Sequence, residues 1–169
     1  MAAQEERIQE RVLVADDDQS IRQLLGTIIR REGLAVDLAA DGTEAIDHLK
    51  QREYPVILLD LMMPRVDGFE VVTWLKEHTP LHKPVIIVIT AYADQKFKDV
   101  DPELVAGILR KPFDVTEVGT LVRACIQGFQ SALQSGAFAS EETVRTLSAT
   151  AMAQLRSLRA ERGNGHSQN

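Results

Sequence analysis

The chain has 169 residues, 44% apolar and 26% charged, with a formal net charge of −6. That is room for one hydrophobic core and a modest appendage, in a composition typical of a folded domain. The acidic balance excludes a nucleic-acid grip built on bulk basicity, the lone Cys125 excludes an internal disulfide, and no apolar run is long enough to cross a bilayer.

The opening "MAAQEERIQE" is acidic and polar, unlike a secretory leader. With the single cysteine it leads us to expect a cytoplasmic protein that binds neither membrane nor nucleic acid directly. The first apolar run, "VLVA" (12–15), is a strand candidate. Three aspartates follow it, Asp16, Asp17 and Asp18. Asp18 suits the N-cap of a helix whose stripe is Ile21, Leu24, Leu25, Ile28 and Ile29. Arg30 and Arg31 fall in its last turn, and Gly33 supplies a left-handed stop.

"LAVDLA" (34–39) is the second strand candidate. Asp41 and Glu44 then open a helix with Ala45, Ile46 and Leu49 on its apolar face. "VILLD" (56–60) is the third strand, and Asp67 with Glu70 opens a helix carrying Phe69, Val72 and Leu75. Trp74 belongs on or beside that face. "VIIVIT" (85–90) is the fourth strand. The third and fourth runs are almost continuous in Val, Ile and Leu, as expected of parallel strands buried on both faces.

"AYADQKFKDVDPELVAGILRK" breaks the rhythm. Asp101–Pro102 is a good N-cap and first helical position, so the pattern predicts an irregular stretch near 92–100, a short helix from Pro102 to Ala106, and a short strand "GIL" (107–109). Asp114 and Glu117 open a longer helix along Val118, Leu121, Val122, Cys125, Ile126 and Phe129. Cys125 reads as a small core hydrophobe. His48, His78, His82 and His166 show no ligand spacing and read as surface residues. The tail begins after Gly136. Ser140 caps a further helix, to about Arg162, with Val144, Leu147, Ala151, Leu155 and Leu158 on one stripe.

The alternation of strands and helices predicts a doubly wound α/β domain. In such sheets ligands bind beyond the carboxyl ends of the strands. Asp16, Asp17, Asp60, Thr90 and Lys111 all fall at those ends and should converge. Clustered carboxylates make sense around a hard divalent cation, and Mg²⁺ favours oxygen ligands completed by water.

Taken together, "VLVADDDQSIR", "VILLDLMMPRVDGFEV", "VIIVITAYAD" and "KPFD" resemble the receiver domain of two-component response regulators. The match covers roughly 10–131, leaving 132–169 as a tail with an amphipathic helix at about 140–162. The resemblance implies a flavodoxin-like five-stranded parallel sheet of order 2-1-3-4-5, with helices on both faces, plus the C-terminal helix. It implies that Asp60 accepts a phosphoryl group from a histidine kinase or histidine phosphotransfer protein. Asp16 and Asp17 match the acidic pair that holds Mg²⁺, with Asp60 and the backbone carbonyl of Met62 completing the protein ligands. Lys111 matches the lysine that pairs with phosphoryl oxygens, and Thr90 the hydroxyl that turns toward them. The role is a phosphorylation switch, not an enzyme with a separate substrate.

Two features depart from that family. Ile108 stands where the family usually has an aromatic that swings on phosphorylation. The segment with Pro102 replaces an ordinary fourth helix. Met62 and Tyr92 occupy positions that usually tune the lifetime of the phosphoryl group; both are large, so they should shield it, and a half-life of only seconds would count against this. Two alternatives stand beside the switch. One is a degenerate receiver that binds partners without phosphate, with Ile108 as its support. The other is a Mg²⁺-dependent phosphohydrolase using Asp16 and Asp18 as a D-x-D motif. The tail helix docks on the receiver, pairs with a second copy, or is a linker stub; the first two rank ahead. A homodimer through that helix, or through the region of the family's fourth and fifth helices, is the expected assembly if the chain associates. The downstream protein target is not readable.

Overall fold

The computed structural model describes residues 11–78, 80, 82–91 and 104–136, together with 145, 146, 149, 150, 152, 153, 156, 157 and 160. Five strands, β1 (Arg11–Ala15), β2 (Ala35–Ala39), β3 (Val56–Leu59), β4 (Val85–Thr90) and β5 (Val105–Arg110), form one sheet. Its order is β2-β1-β3-β4-β5 and every pairing is parallel, as the resemblance implies. Four helices connect or follow the strands: α1 (Gln19–Arg31), α2 (Gly42–Gln51), α3 (Gly68–Glu77) and α4 (Val115–Ser135). The C-terminal residues that are described, from Arg145 to Ala160, are also helical.

The aliphatic runs explain the two-sided burial. In β3 and β4 every residue is buried. Their side chains alternate between two core clusters, as strand geometry demands. Val56, Leu58, Val85, Ile87 and Ile89 face α1 and α4, while Ile57, Leu59, Ile86 and Val88 face α2 and α3.

Helix starts follow the sequence. Asp18 accepts from the N–H groups of Ser20 and Ile21, and Asp114 from those of Thr116 and Glu117. Asp67 and Glu70 form a complete reciprocal capping box. At α2 the Asp41 carboxylate caps Glu44, but Glu44 reaches back to the N–H of Ala40. Gly33, with φ of 78°, closes α1.

One secondary-structure expectation changes. Val105 and Ala106 belong to β5, not to a short helix ending at Ala106. Parallel pairing of Val105 and Gly107 with β4 holds the segment, with Ala106 between them, and ladder hydrogen bonds override local propensity. Residues 92–103, including Tyr92 and Pro102, lie outside the described residues. α4 runs past residue 131 to Ser135, with Phe129 and Ala132 still buried, and ends at Gly136, with φ of 68°. His82 is also less exposed than expected, with Nδ1 2.8 Å from a Glu53 carboxylate oxygen.

Cys125 lies on the buried stripe of α4, and burial pushes its thiol up to about 12. Only the thiolate reacts readily. Alkylation by iodoacetamide at pH 8 should therefore be roughly 100-fold slower in the native protein than in denaturant, as followed by intact mass.

Candidate functional site

Register brings the site together. Ala15 of β1 pairs with Leu59 of β3, so Asp16 and Asp60 emerge side by side at the carboxyl edge. Backbone bonds extend each ladder one step beyond the strands. Asp16 donates to the carbonyl of Ala39, Asp60 to that of Ala15 and Lys111 to that of Thr90, at 3.1, 2.9 and 2.9 Å. These bonds fix where the side chains start.

Asp16, Asp17 and Asp60 each bring a carboxylate oxygen to within 4.8 Å of the others. Asp16 and Asp60 are buried, and Asp17 is exposed. Between the buried pair lies Lys111, its Nζ 2.7 Å from Asp16 Oδ2 and 2.8 Å from Asp60 Oδ2. Each carboxylate is held from its other side. The N–H of Asp18 donates to Asp16 Oδ1 at 2.9 Å, and that of Met62 to Asp60 Oδ1 at 3.1 Å. Thr90 is buried at the end of β4. All five side chains singled out by the sequence thus stand on one edge.

The charges are not balanced. Burial raises the Asp16 carboxyl above its usual range, against the lowering pull of Lys111. For Lys111, burial works against the ammonium, but the close Asp16 and Asp60 carboxylates outweigh it and raise its pKa. Asp16 Oδ2 has the Lys111 charge at 2.7 Å without hydrogen-bond geometry, and it is otherwise an orphaned buried acceptor. An under-neutralised cluster of hard oxygen atoms with one orphaned acceptor fits a hard divalent cation.

The loop from Asp60 to α3 is braced at points that pattern reading did not find. Gly68 donates to the carbonyl of Leu61 at 3.0 Å, and a Cβ on Gly68 would lie 2.4 Å from the Asp60 carbonyl oxygen. Gly42 donates to the carbonyl of Val66 at 2.9 Å, and a Cβ there would meet that oxygen at 2.4 Å. Arg65, with φ of 67°, pairs with the buried Asp41 carboxylate. The sequence signal was only a glycine directly after a capping aspartate. Arg22 also went unnoticed; its guanidinium donates to the carbonyl of Asp16 at 2.7 Å.

Other candidates take other places. Asp18 uses its carboxylate as the α1 cap, so a D-x-D motif with Asp16 loses its second member. Ile108 packs among the α2–α3 cluster. The Met62 side chain is 39% exposed beside Asp60. Trp74 packs at the edge of its core face and stacks on His78, centroids 4.3 Å apart.

Replacing Lys111 by Met leaves two buried carboxylates facing each other, which should cost about 2 kcal/mol or more at pH 7. The folded-state pKa of Lys111 is raised, so its stabilisation is full below the ordinary lysine value of 10.5 and is lost as pH rises through the higher folded value. Urea midpoints should therefore separate wild type from Lys111→Met from pH 7 to 10 and converge only in more alkaline solution.

A family model described as the response regulator receiver domain matches residues 12–123. The chain is 34% identical over 120 residues to the transcriptional regulatory protein GltR of Pseudomonas aeruginosa, covering 70% of this chain and 50% of that protein. It is 37% identical over 123 residues to the transcriptional regulatory protein SrrA of Staphylococcus aureus, covering 71% and 49%. The chain therefore spans about half the length of these relatives. Among solved structures, it matches the receiver domain of the Francisella response regulator 1452, with a TM-score of 0.63 at 29% identity, covering 70% of this chain and 97% of that one. It also matches the response regulator TrrA from Thermotoga maritima in complex with Mg²⁺-BeF, with a TM-score of 0.61 at 29% identity, covering 69% and 98%.

Proposed function

The chain belongs to the response regulator receiver domain family, and from that premise we propose that it is a phosphorylation switch whose acceptor is Asp60 and whose donor is a histidine kinase or histidine phosphotransfer protein. The observation that carries the reading is the Lys111 ammonium held between the Asp16 and Asp60 carboxylates, 2.7 and 2.8 Å away.

A carboxylate oxygen of Asp60 attacks phosphorus on the donor's phosphohistidine. The new O–P bond forms as the P–N bond breaks, and the leaving imidazole keeps the electron pair and takes up a proton. Asp60 becomes an acyl phosphate. The N–H of Met62 on Asp60 Oδ1 holds the carboxylate rotamer for that attack. Lys111 then exchanges its contact with Asp60 for the phosphoryl oxygens, and the Thr90 hydroxyl donates to one of them. Asp16, Asp17, Asp60 and the carbonyl of Met62 would hold Mg²⁺, which supplies the positive charge that lets three carboxylates accept an anionic group. Such transfer depends on positioning and charge neutralisation more than on covalent work by the protein. Water attack on the acyl phosphate returns the switch to rest, and the large side chains of Met62 and Tyr92 slow it. The output passes through protein contacts, and the expected location is the cytoplasm.

Incubation with Mg²⁺ and acetyl phosphate should add one phosphoryl group to the wild-type chain and none to Asp60→Ala, read by intact mass. Transfer from a phosphorylated histidine phosphotransfer protein should show the same dependence. No gain from either donor would overturn the reading. Asp17→Asn should weaken Mg²⁺ binding roughly tenfold, because one charge leaves the ligand set; calorimetric titration checks this.

A further inference from the structure

Gly107 occupies the interior of β5, an edge strand. Its φ is not in the left-handed region, so no turn requires a glycine there. Glycine inside a strand weakens it, and a close approach by another group is the usual reason for one. That group is present. A Cβ on Gly107 would lie 2.5 Å from the Met152 Sδ and 3.2 Å from its Cγ and Cε. Met152 is helical and half-buried, and packs against the core cluster that α1 and α4 share. The β4–β5 register shifts at the same place: Ile86 pairs with Val105 but Ile87 with Gly107. The skipped residue, Ala106, packs in the same cluster as Met152. Two small residues at a bulge thus leave a shallow notch, and a flexible thioether fills it.

We propose that the C-terminal helix is an intramolecular ligand of the receiver, seated on β5 by Met152 over Gly107, and that its docking is released when Asp60 is phosphorylated; the second half rests on the receiver reading above.

The occupant is this chain's own tail because the connection permits it. Residues 137–144 separate Gly136 from Arg145. Eight residues reach up to about 28 Å when extended, and α4 already packs on the cluster that receives Met152. So short a tether gives an effective concentration on the order of millimolar.

The coupling runs along one strand. Gly107 lies four residues before Lys111, whose N–H bonds the Thr90 carbonyl and whose Nζ contacts Asp60 Oδ2 at 2.8 Å. The docked tail therefore matches a β5 drawn toward a bare Asp60 carboxylate. A phosphoryl group on Asp60 lengthens that reach, and on this proposal the change passes from Lys111 along the end of β5 to Gly107 beneath Met152. With Ile108 aliphatic, no ring reports the change, and the adjacent notch takes that task. Linkage then makes the effect reciprocal: a tail that cannot dock favours the phosphorylated state.

Hydrogen exchange on the full chain tests both halves. Gly107→Val fills the notch while favouring a strand, and Met152→Glu removes the anchor. Each should speed exchange in residues 145–160 about tenfold, the loss of one half-buried Met contact. Gly107→Val should leave the melting temperature of the core unchanged or higher, which separates undocking from misfolding. Equal tail exchange in all three proteins overturns docking. Protection that disappears on dilution together with a dimer assigns the helix to a second copy and also overturns it. With Mg²⁺ and beryllofluoride, wild-type tail exchange should rise to the variants' level, with no rise in Asp60→Ala. An unchanged tail on a protein whose fluorine spectrum shows bound beryllofluoride overturns the coupling alone. No bound beryllofluoride and no phosphoryl gain overturn the receiver reading, and the coupling with it.

Discussion

The structure depends on one ammonium between two buried carboxylates. Asp16 and Asp60 come from different strands, and each is fixed by a backbone bond that extends the ladder past the strand end. Side by side and desolvated, they repel. Lys111, arriving from β5, reaches both and makes that edge of the sheet tolerable. The compensation is partial: the Asp16 carboxyl remains above its usual range, and Asp17 adds a third negative group. A site poised in this way gains from added positive charge, and in the proposed switch the same lysine would meet the phosphoryl group.

The precision of that edge comes from its surroundings. The loop after Asp60 folds back through Gly68, touches α2 through Gly42 and is tied by Arg65 to the capping Asp41. Asp41 therefore caps α2 with one carboxylate oxygen and anchors the loop with the other. Met62, inside this loop, holds Asp60 through its N–H. Helix capping, glycine contacts and the Asp60 carboxylate form one connected assembly, so a change at any brace reaches that carboxylate.

β5 joins the site to the rest of the chain. It ends at Arg110, directly before Lys111, carries Ile108 toward the α2–α3 face and opposes Gly107 to the tail. As an edge strand, paired on one side among the described residues, it is less constrained than β3 or β1. On the proposed coupling, a short movement at Lys111 reaches Gly107, four residues away.

The sequence by itself determined the helix caps, the two-sided burial of β3 and β4, and the identity of Asp16, Asp17, Asp60, Thr90 and Lys111 as one set. These depend on local chemistry: an aspartate before an apolar stripe, an unbroken aliphatic run, charged groups at strand ends. The family resemblance supplied the strand order, which periodicity cannot. Tertiary structure decided what depends on contacts between distant segments. Val105 and Ala106 became strand because β5 pairs with β4 on either side of Ala106. Arg65 found Asp41, 24 residues away in sequence, and Gly107 found Met152. No spacing rule encodes such meetings, because the space a missing Cβ leaves has meaning only once another side chain fills it.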